Sequence, residues 1–363
     1  MPISSCLVFN LVNSNIRRYD IDWLRVIAIA ILIIYHAVIS FQPWALEIAF
    51  IRSEHSLAWL WIPMELVNIW RIPLLFFVSG MGVCFAMRRR DWKSLFLDRL
   101  RRIFLPFVFG TFVIVPLHFV VFQLHYSYAS LEYWPNSGHL WFLGNIMVYV
   151  ILCLPVFYFF QKFPENAFTK LLKLLLNTPL GLAIIATPFI VEAVVTVPEY
   201  FSMYVGTIHG FFIGLLAFFF GYCVVSIGEG FFVLVRKHKL WLFLTALLLY
   251  FNRLLLFELE YVPVWLISIE SMLWLYAVFG YAYAYLNQPS SLLVYLGPAV
   301  YPVYILHMFF QYLTTSYIAK FDMPAVSQLI TIITSTLLLS WLSYELIVKR
   351  VHYLRPLFGL SYK

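Results

Sequence analysis

Residues 19–36 read Tyr19-Asp-Ile-Asp22-Trp-Leu-Arg25-Val-Ile-Ala-Ile-Ala-Ile-Leu-Ile-Ile-Tyr35-His36: a charged head ending at Arg25, ten apolar or small residues interrupted by Tyr35, then a histidine. A run of this kind, polar at its rim and apolar along its length, reads as a membrane-spanning helix. Similar blocks of about 20 residues, the length that crosses a hydrocarbon core of about 30 Å, recur along the chain. They predict spans near 23–42, 64–87, 103–124, 139–160, 177–197, 203–225, 239–257, 262–286, 292–318 and 324–348.

Composition agrees. Residues are 63% apolar, 20% aromatic and only 11% charged, against about 25% charged in ordinary soluble domains. That excludes a soluble globular domain, a disordered chain and a coiled coil. The expected fold is an all-α polytopic membrane protein of about ten transmembrane helices, one domain over 1–363 with a short tail at 1–16. Residues 1–16 lack a basic start and a small-residue cleavage site, so no cleaved leader is expected. The longest polar stretch between spans runs from Met87 to Arg102, too short for a fused soluble domain.

An even span count puts both termini on one side, and the positive-inside rule places that side in the cytoplasm. Twenty of the 24 Lys and Arg residues then fall inside, leaving Arg52, Arg71, Arg253 and Lys320 outside or within spans. The net charge of +7 is thus matched by anionic lipid and a cytoplasmic anionic ligand, and no nucleic acid is expected. Cys6, Cys84, Cys153 and Cys223 are too dispersed for a disulfide framework or a zinc site.

Ionisable residues are costly inside a lipid-buried bundle and so become the functional candidates. Arg25 and His36 are eleven residues apart, about 16 Å along a helix and within about 20° of one face. His36 reads either as a satisfied core residue or as a general base, since imidazole, with a pKa near 6.5, can take a proton from a hydroxyl. In the second span Glu65, Asn68 and Arg71 lie at i, i+3 and i+6, an interfacial ion pair or a polar site, followed by Ser79-Gly80-Met-Gly82, a close-packing surface. Arg99 and Arg102 at the mouth of the third span read as orientation charges or as a grip on phosphate oxygens. The ninth span carries Tyr301, Tyr304 and His307 at spacings of three. Glu192, His209, Arg253, Glu270 and Glu345 are expected mainly in internal ion pairs. His118, His125 and His139 are too irregularly spaced for a metal site, and no metal is expected.

Several of these motifs coincide with a known pattern. Asp22-x-x-Arg25 with ten residues to His36, Phe76-Phe-Val-Ser-Gly80, Arg99-x-x-Arg102-Ile-x-x-Pro106, and Tyr304-x-x-His307 resemble the integral-membrane acyltransferase-3 family across nearly the whole chain. Tyr19–Arg25, Arg71–Gly80 and Gly138-His139-Leu-Trp141-Phe-Leu143 are most similar to its glucan-modifying branch, that of the periplasmic-glucan succinyltransferase. The broader Leu-Arg-Gly of the first span is here Leu24-Arg25-Val26.

The resemblance implies an enzyme of the bacterial inner membrane with no permanently bound cofactor. It would move an acyl group, acetyl or succinyl, from cytoplasmic acyl-coenzyme A to a carbohydrate hydroxyl. Arg25, Arg99 and Arg102 would hold the donor's phosphates, with Asp22 fixing Arg25. His36 would act as base, and His307 with Tyr304 would orient the acyl group or polarise its carbonyl. Arg71, Glu65, Ser79, His139 and Trp141 would meet the substrate. Acyl transfer through an acyl-histidine stays open as a mechanism, and a glycan transporter or flippase stays open as a function. No sequence signal bears on oligomeric state.

Overall fold

The computed structural model describes residues 17–176 and 178–361; the expected tail at 1–16 with Cys6, together with Lys363, lies outside them. Among the described residues the chain is helical, with ten candidate membrane spans. They are span 1 Tyr19–Ile39, span 2 Ala58–Met87, span 3 Trp92–His125, span 4 Gly138–Lys162 and span 5 Pro179–Thr196. Span 6 is Ile208–Ser226, span 7 Gly230–Phe257, span 8 Val264–Tyr285, span 9 Ser291–Ile318 and span 10 Ala325–Val348. An amphipathic helix, Ala167–Leu175, lies between spans 4 and 5, with the Asn166 side chain accepting from the Thr169 N–H.

Span 2 is the hub: 78% of its most apolar window is buried, against 17% for span 7 at the periphery. Small residues let span 2 meet span 6 closely. A Cβ at Gly80 would strike the Phe218 carbonyl oxygen, and one at Gly221 would strike the Phe77 carbonyl oxygen. The Ser79-Gly80 run is thus the packing surface its composition predicts, and the Ser79 hydroxyl turns back to donate to the Leu75 carbonyl at 2.8 Å.

Prolines write much of the remaining detail. A proline has no N–H for the carbonyl four residues back, and within a membrane that carbonyl needs another donor. Pro73 leaves the Ile69 carbonyl without its helical donor, and it accepts from the Tyr204 hydroxyl at 2.9 Å and the Ser271 hydroxyl at 2.8 Å. Pro116 does the same to Phe112, whose carbonyl takes the Tyr133 hydroxyl at 2.7 Å.

Span 3 departs most from expectation. The charged stretch before residue 103, read as loop, is helical from Trp92, started by the Asp91 side chain accepting from the Ser94 N–H. The helix then widens into π turns at Leu100–Phe104 and Gly110–Ile114. Each lies just before or around the backbone position disturbed by Pro106 or Pro116.

Residues 40–57 fold back over the C-terminal end of span 1. Phe41, Gln42, Ala45, Ile51 and Ser53 are buried. The Ser53 N–H donates to the Ser40 carbonyl at 2.7 Å, and the Leu57 N–H to the Phe41 carbonyl at 3.0 Å.

Candidate active site

His36 lies in the last turn of span 1, half-buried between the folded-back segment and span 9. The Phe50 ring of that segment sits 5.8 Å from the imidazole. The Gln311 side-chain amide on span 9 donates to the His36 backbone carbonyl at 2.6 Å and tethers the last turn.

The central contact joins the two histidines that the sequence marks on spans 1 and 9. His36 Nδ1 is 2.9 Å from His307 Nε2, with the rings within 6° of parallel. His307 Nδ1 is 2.6 Å from the Tyr304 carbonyl oxygen. A carbonyl only accepts, so Nδ1 of His307 carries a proton and Nε2 of the neutral ring carries the lone pair. That lone pair takes the Nδ1–H of His36. The remaining nitrogen of neutral His36, Nε2, is then the unprotonated one. A chain of two hydrogen bonds, anchored on the Tyr304 backbone carbonyl, thus selects the tautomer in which Nε2 can receive a proton.

His139 and His118 complete an imidazole cluster. His139 Nε2 donates to the Ile305 carbonyl at 3.1 Å, and its ring lies 5.0 Å from that of His307, edge to face. His118 is 5.9 Å from His139 between ring centres. The Nδ1 atoms of both lack a hydrogen-bond partner among the described residues. No group of three His, Cys, Asp or Glu among the described residues is placed to hold a metal ion. The Tyr304 hydroxyl donates to the His139 backbone carbonyl at 2.6 Å, so it locks span 9 to span 4. Trp141 packs against Phe76, ring centres 6.0 Å apart.

Glu65 and Arg71 go separate ways. Arg253 of span 7 donates to Glu65 Oε2 at 3.0 Å and to both carboxylate oxygens of Glu270 at 2.9 and 3.3 Å. Glu65 Oε1 accepts from Asn68 and from Ser202, each at 3.3 Å. Arg71 is left with the Asn68 side-chain oxygen at 3.2 Å and the face of Tyr35, 3.8 Å from guanidinium carbon to ring centre. Glu192 is a buried internal pair, on His209 at 3.0 Å, whereas Glu345, expected inside, is partly exposed and pairs with Lys349 at the surface at 2.7 Å.

The arginine-bearing end of the bundle gathers a second set. Asp22 reaches Arg25 at 3.7 Å and Arg17 at 2.9 Å. Arg25 and Arg99 converge on Gly82: a Cβ there would lie 3.7 Å from Arg25 Nη2, and Arg99 Nη2 donates to the Gly82 carbonyl at 3.4 Å. Arg102 does not join them. It pairs with Asp98 at 2.9 Å, because the π turn between positions 99 and 102 changes the phase that an i, i+3 spacing assumes.

Two residues that sequence reading gave no role at this end belong to the same surroundings. The Tyr301 hydroxyl, the Arg99 Nε and the Arg355 Nε are buried without partners among the described residues. The Arg355–Phe358 turn packs on Leu100–Phe104, and Gly359 sits against the Tyr301 ring and the Arg102 carbonyl. From Tyr301 the rings of Tyr304 and His307 follow at 6.4 and 5.9 Å, a polar aromatic line leading to His36. Only the helical spacing of 301, 304 and 307 hinted at it; nothing in the sequence near Arg355 did.

A family profile described as an acyltransferase domain matches residues 18–345, which contain His36, Arg71, His307 and the arginines at 25, 99 and 102 but not Arg17 or the Arg355–Gly359 turn. No curated protein and no solved structure matches the chain.

Proposed function

This chain belongs to the acyltransferase-3 family of membrane acyltransferases, and from that premise we propose that it carries an acyl group, acetyl or succinyl, from cytoplasmic acyl-coenzyme A to a hydroxyl of a cell-envelope carbohydrate. The arginine-bearing end faces the cytoplasm of a bacterial inner membrane, in keeping with the skew of basic residues. Resemblance of the Tyr19–Arg25, Arg71–Gly80 and Gly138–Leu143 motifs to the glucan-modifying branch favours a glucan acceptor.

The observation that supports this reading is the His36–His307 hydrogen bond at 2.9 Å, with His307 anchored on the Tyr304 carbonyl at 2.6 Å. The acceptor hydroxyl gives its proton to His36 Nε2, and its oxygen attacks the thioester carbonyl carbon. The new C–O bond forms and the C–S bond breaks. The departing coenzyme A thiolate then recovers the proton from the imidazolium. His307 accepts a stronger hydrogen bond once His36 is charged, which lowers the barrier to proton uptake. His307 therefore acts as a positioning residue behind the base and leaves the acyl carbonyl to other donors.

Donor binding falls to the opposite end. Arg25 and Arg99, brought together at Gly82, hold phosphate oxygens, and the unpartnered Tyr301 and Arg355 donors supply further contacts. Arg25 and His36 are separated by about 16 Å of helix, a span the pantetheine arm bridges.

The test uses membranes containing wild type or His36→Ala, given labelled acetyl-CoA or succinyl-CoA with envelope glycans. Label in carbohydrate and free coenzyme A should rise together in wild type and vanish in the variant. No transfer from either donor, with the variant inserting normally, overturns the reading in favour of another donor or of glycan transport. Trapping a labelled acyl-protein that His36→Ala cannot form would replace direct transfer with an acyl-imidazole route.

A further inference from the structure

Arg71 is a buried cation with open hydrogen-bonding capacity. Its side chain is 3% exposed and sits mid-way along span 2, yet Nε and Nη1 have no partner among the described residues. Those two atoms carry three of the five N–H donors of a guanidinium. Arg253 makes the contrast: each of its nitrogens is engaged by Glu65 or Glu270.

The cluster explains how such a residue is tolerated. Two carboxylates, Glu65 and Glu270, surround the single guanidinium of Arg253, which leaves one negative charge in surplus. Asn68 bridges that surplus to Arg71, donating to Glu65 at 3.3 Å and accepting from Arg71 at 3.2 Å. Arg71 is thus charge-balanced at one remove while its Nε and Nη1 donors stay without a partner among the described residues. An unfilled donor in a lipid-embedded bundle costs free energy unless a ligand fills it.

Arg71 is also near the chemistry. Its guanidinium carbon is 3.8 Å from the Tyr35 ring centre, which is 5.8 Å from that of His36, so it lies within about 10 Å of the imidazole. A hydroxyl attacking from His36 stands about 3 Å from the thioester carbon. A four-carbon dicarboxylic acyl group reaches about 4 Å further to its carboxylate, with C–C bonds of about 1.5 Å.

We propose that Arg71 is the specificity residue for an acyl group bearing a free carboxylate, held by the unpartnered Nε and Nη1 donors. The inference rests on the acyl-CoA reading above and sharpens its donor to the succinyl type. An acetyl group offers these donors nothing.

Purified protein is titrated with succinyl-CoA and acetyl-CoA, following binding directly by calorimetry. Wild type should bind succinyl-CoA about tenfold or more tightly than acetyl-CoA, and Arg71→Gln should erase the difference by weakening succinyl-CoA alone. Arg71→Lys keeps the charge and should keep part of the preference, which covers a Gln variant that does not fold. Equal affinity of wild type for the two donors overturns the inference and leaves the donor reading standing. Binding of neither donor overturns both. Equal weakening of both donors by Arg71→Gln overturns it in favour of a role in general donor binding. A uronate-bearing oligosaccharide that binds wild type but not Arg71→Gln, with no donor preference, moves the carboxylate from the acyl group to the acceptor and also overturns it.

Discussion

Two buried polar clusters sit within one bundle and treat their hydrogen bonds in opposite ways. Around Arg253 every guanidinium nitrogen meets Glu65 or Glu270, and Trp274 adds its indole N–H to Glu270 at 3.3 Å. Around His36 the pattern is directional instead. A carbonyl fixes His307, His307 fixes His36, and the chain of bonds stops at an atom with a lone pair. Arg71 likewise stops with unfilled donors. In the proposed reading, the saturated cluster holds spans together, and the network that ends on open groups at His36 and Arg71 is the one that meets a substrate.

That contrast is breakable. Removing the loose end itself should have the largest effect: His36→Ala should cut acyl transfer by about 100-fold or more, the usual contribution of a general base, with unchanged protein accumulation. A variant that transfers normally would place the base elsewhere.

Next comes the saturated cluster. Arg253→Leu strands two buried carboxylates and should destabilise the protein by about 3–5 kcal/mol. The readout is a lower unfolding midpoint in detergent and reduced accumulation, while the rate per inserted molecule stays near wild type. A stable but inactive Arg253→Leu protein would erase the distinction between the clusters.

At the arginine-bearing end, Arg99→Gln removes one charged donor worth about 1.5–3 kcal/mol. The donor KM should rise about tenfold or more with kcat largely kept; a fall in kcat alone would put Arg99 in the chemical step instead. Smallest is Tyr304→Phe, which loses only the hydroxyl bond to the His139 carbonyl, about 1 kcal/mol of stability. A Tyr304→Phe protein that keeps its stability but loses transfer would make that hydroxyl a substrate contact.

Much of this was readable in advance because lipid is an exacting solvent. Apolar runs of the right length gave all ten spans, and the cost of burying polar side chains pointed to His36, His307 and Arg71. What spacing could not supply is partnership across helices. Glu65 and Arg71 lie six residues apart on one helix, but the carboxylate belongs to Arg253, 188 residues further along. Arg99 and Arg102 lose their common phase to a π turn beside Pro106, and counting residues at 3.6 per turn misses it. The charged segment before residue 103 hides a helix because low hydropathy looks like a loop, whereas its Asp91 cap is what starts it. Arg355 was invisible because its place depends on a turn packing against span 3.

The glycine contacts between spans 2 and 6 bear on how this enzyme moves. Helices that touch backbone to backbone, Gly80 on the Phe218 carbonyl and Gly221 on the Phe77 carbonyl, have no flexible side chains between them to absorb a slide or a roll. Sliding or rolling of these two spans against each other is therefore the costliest motion open to the bundle. Any rearrangement within the bundle must then be borne by the other helices, among them span 1, which packs on span 2, and span 9, which packs on spans 1 and 3.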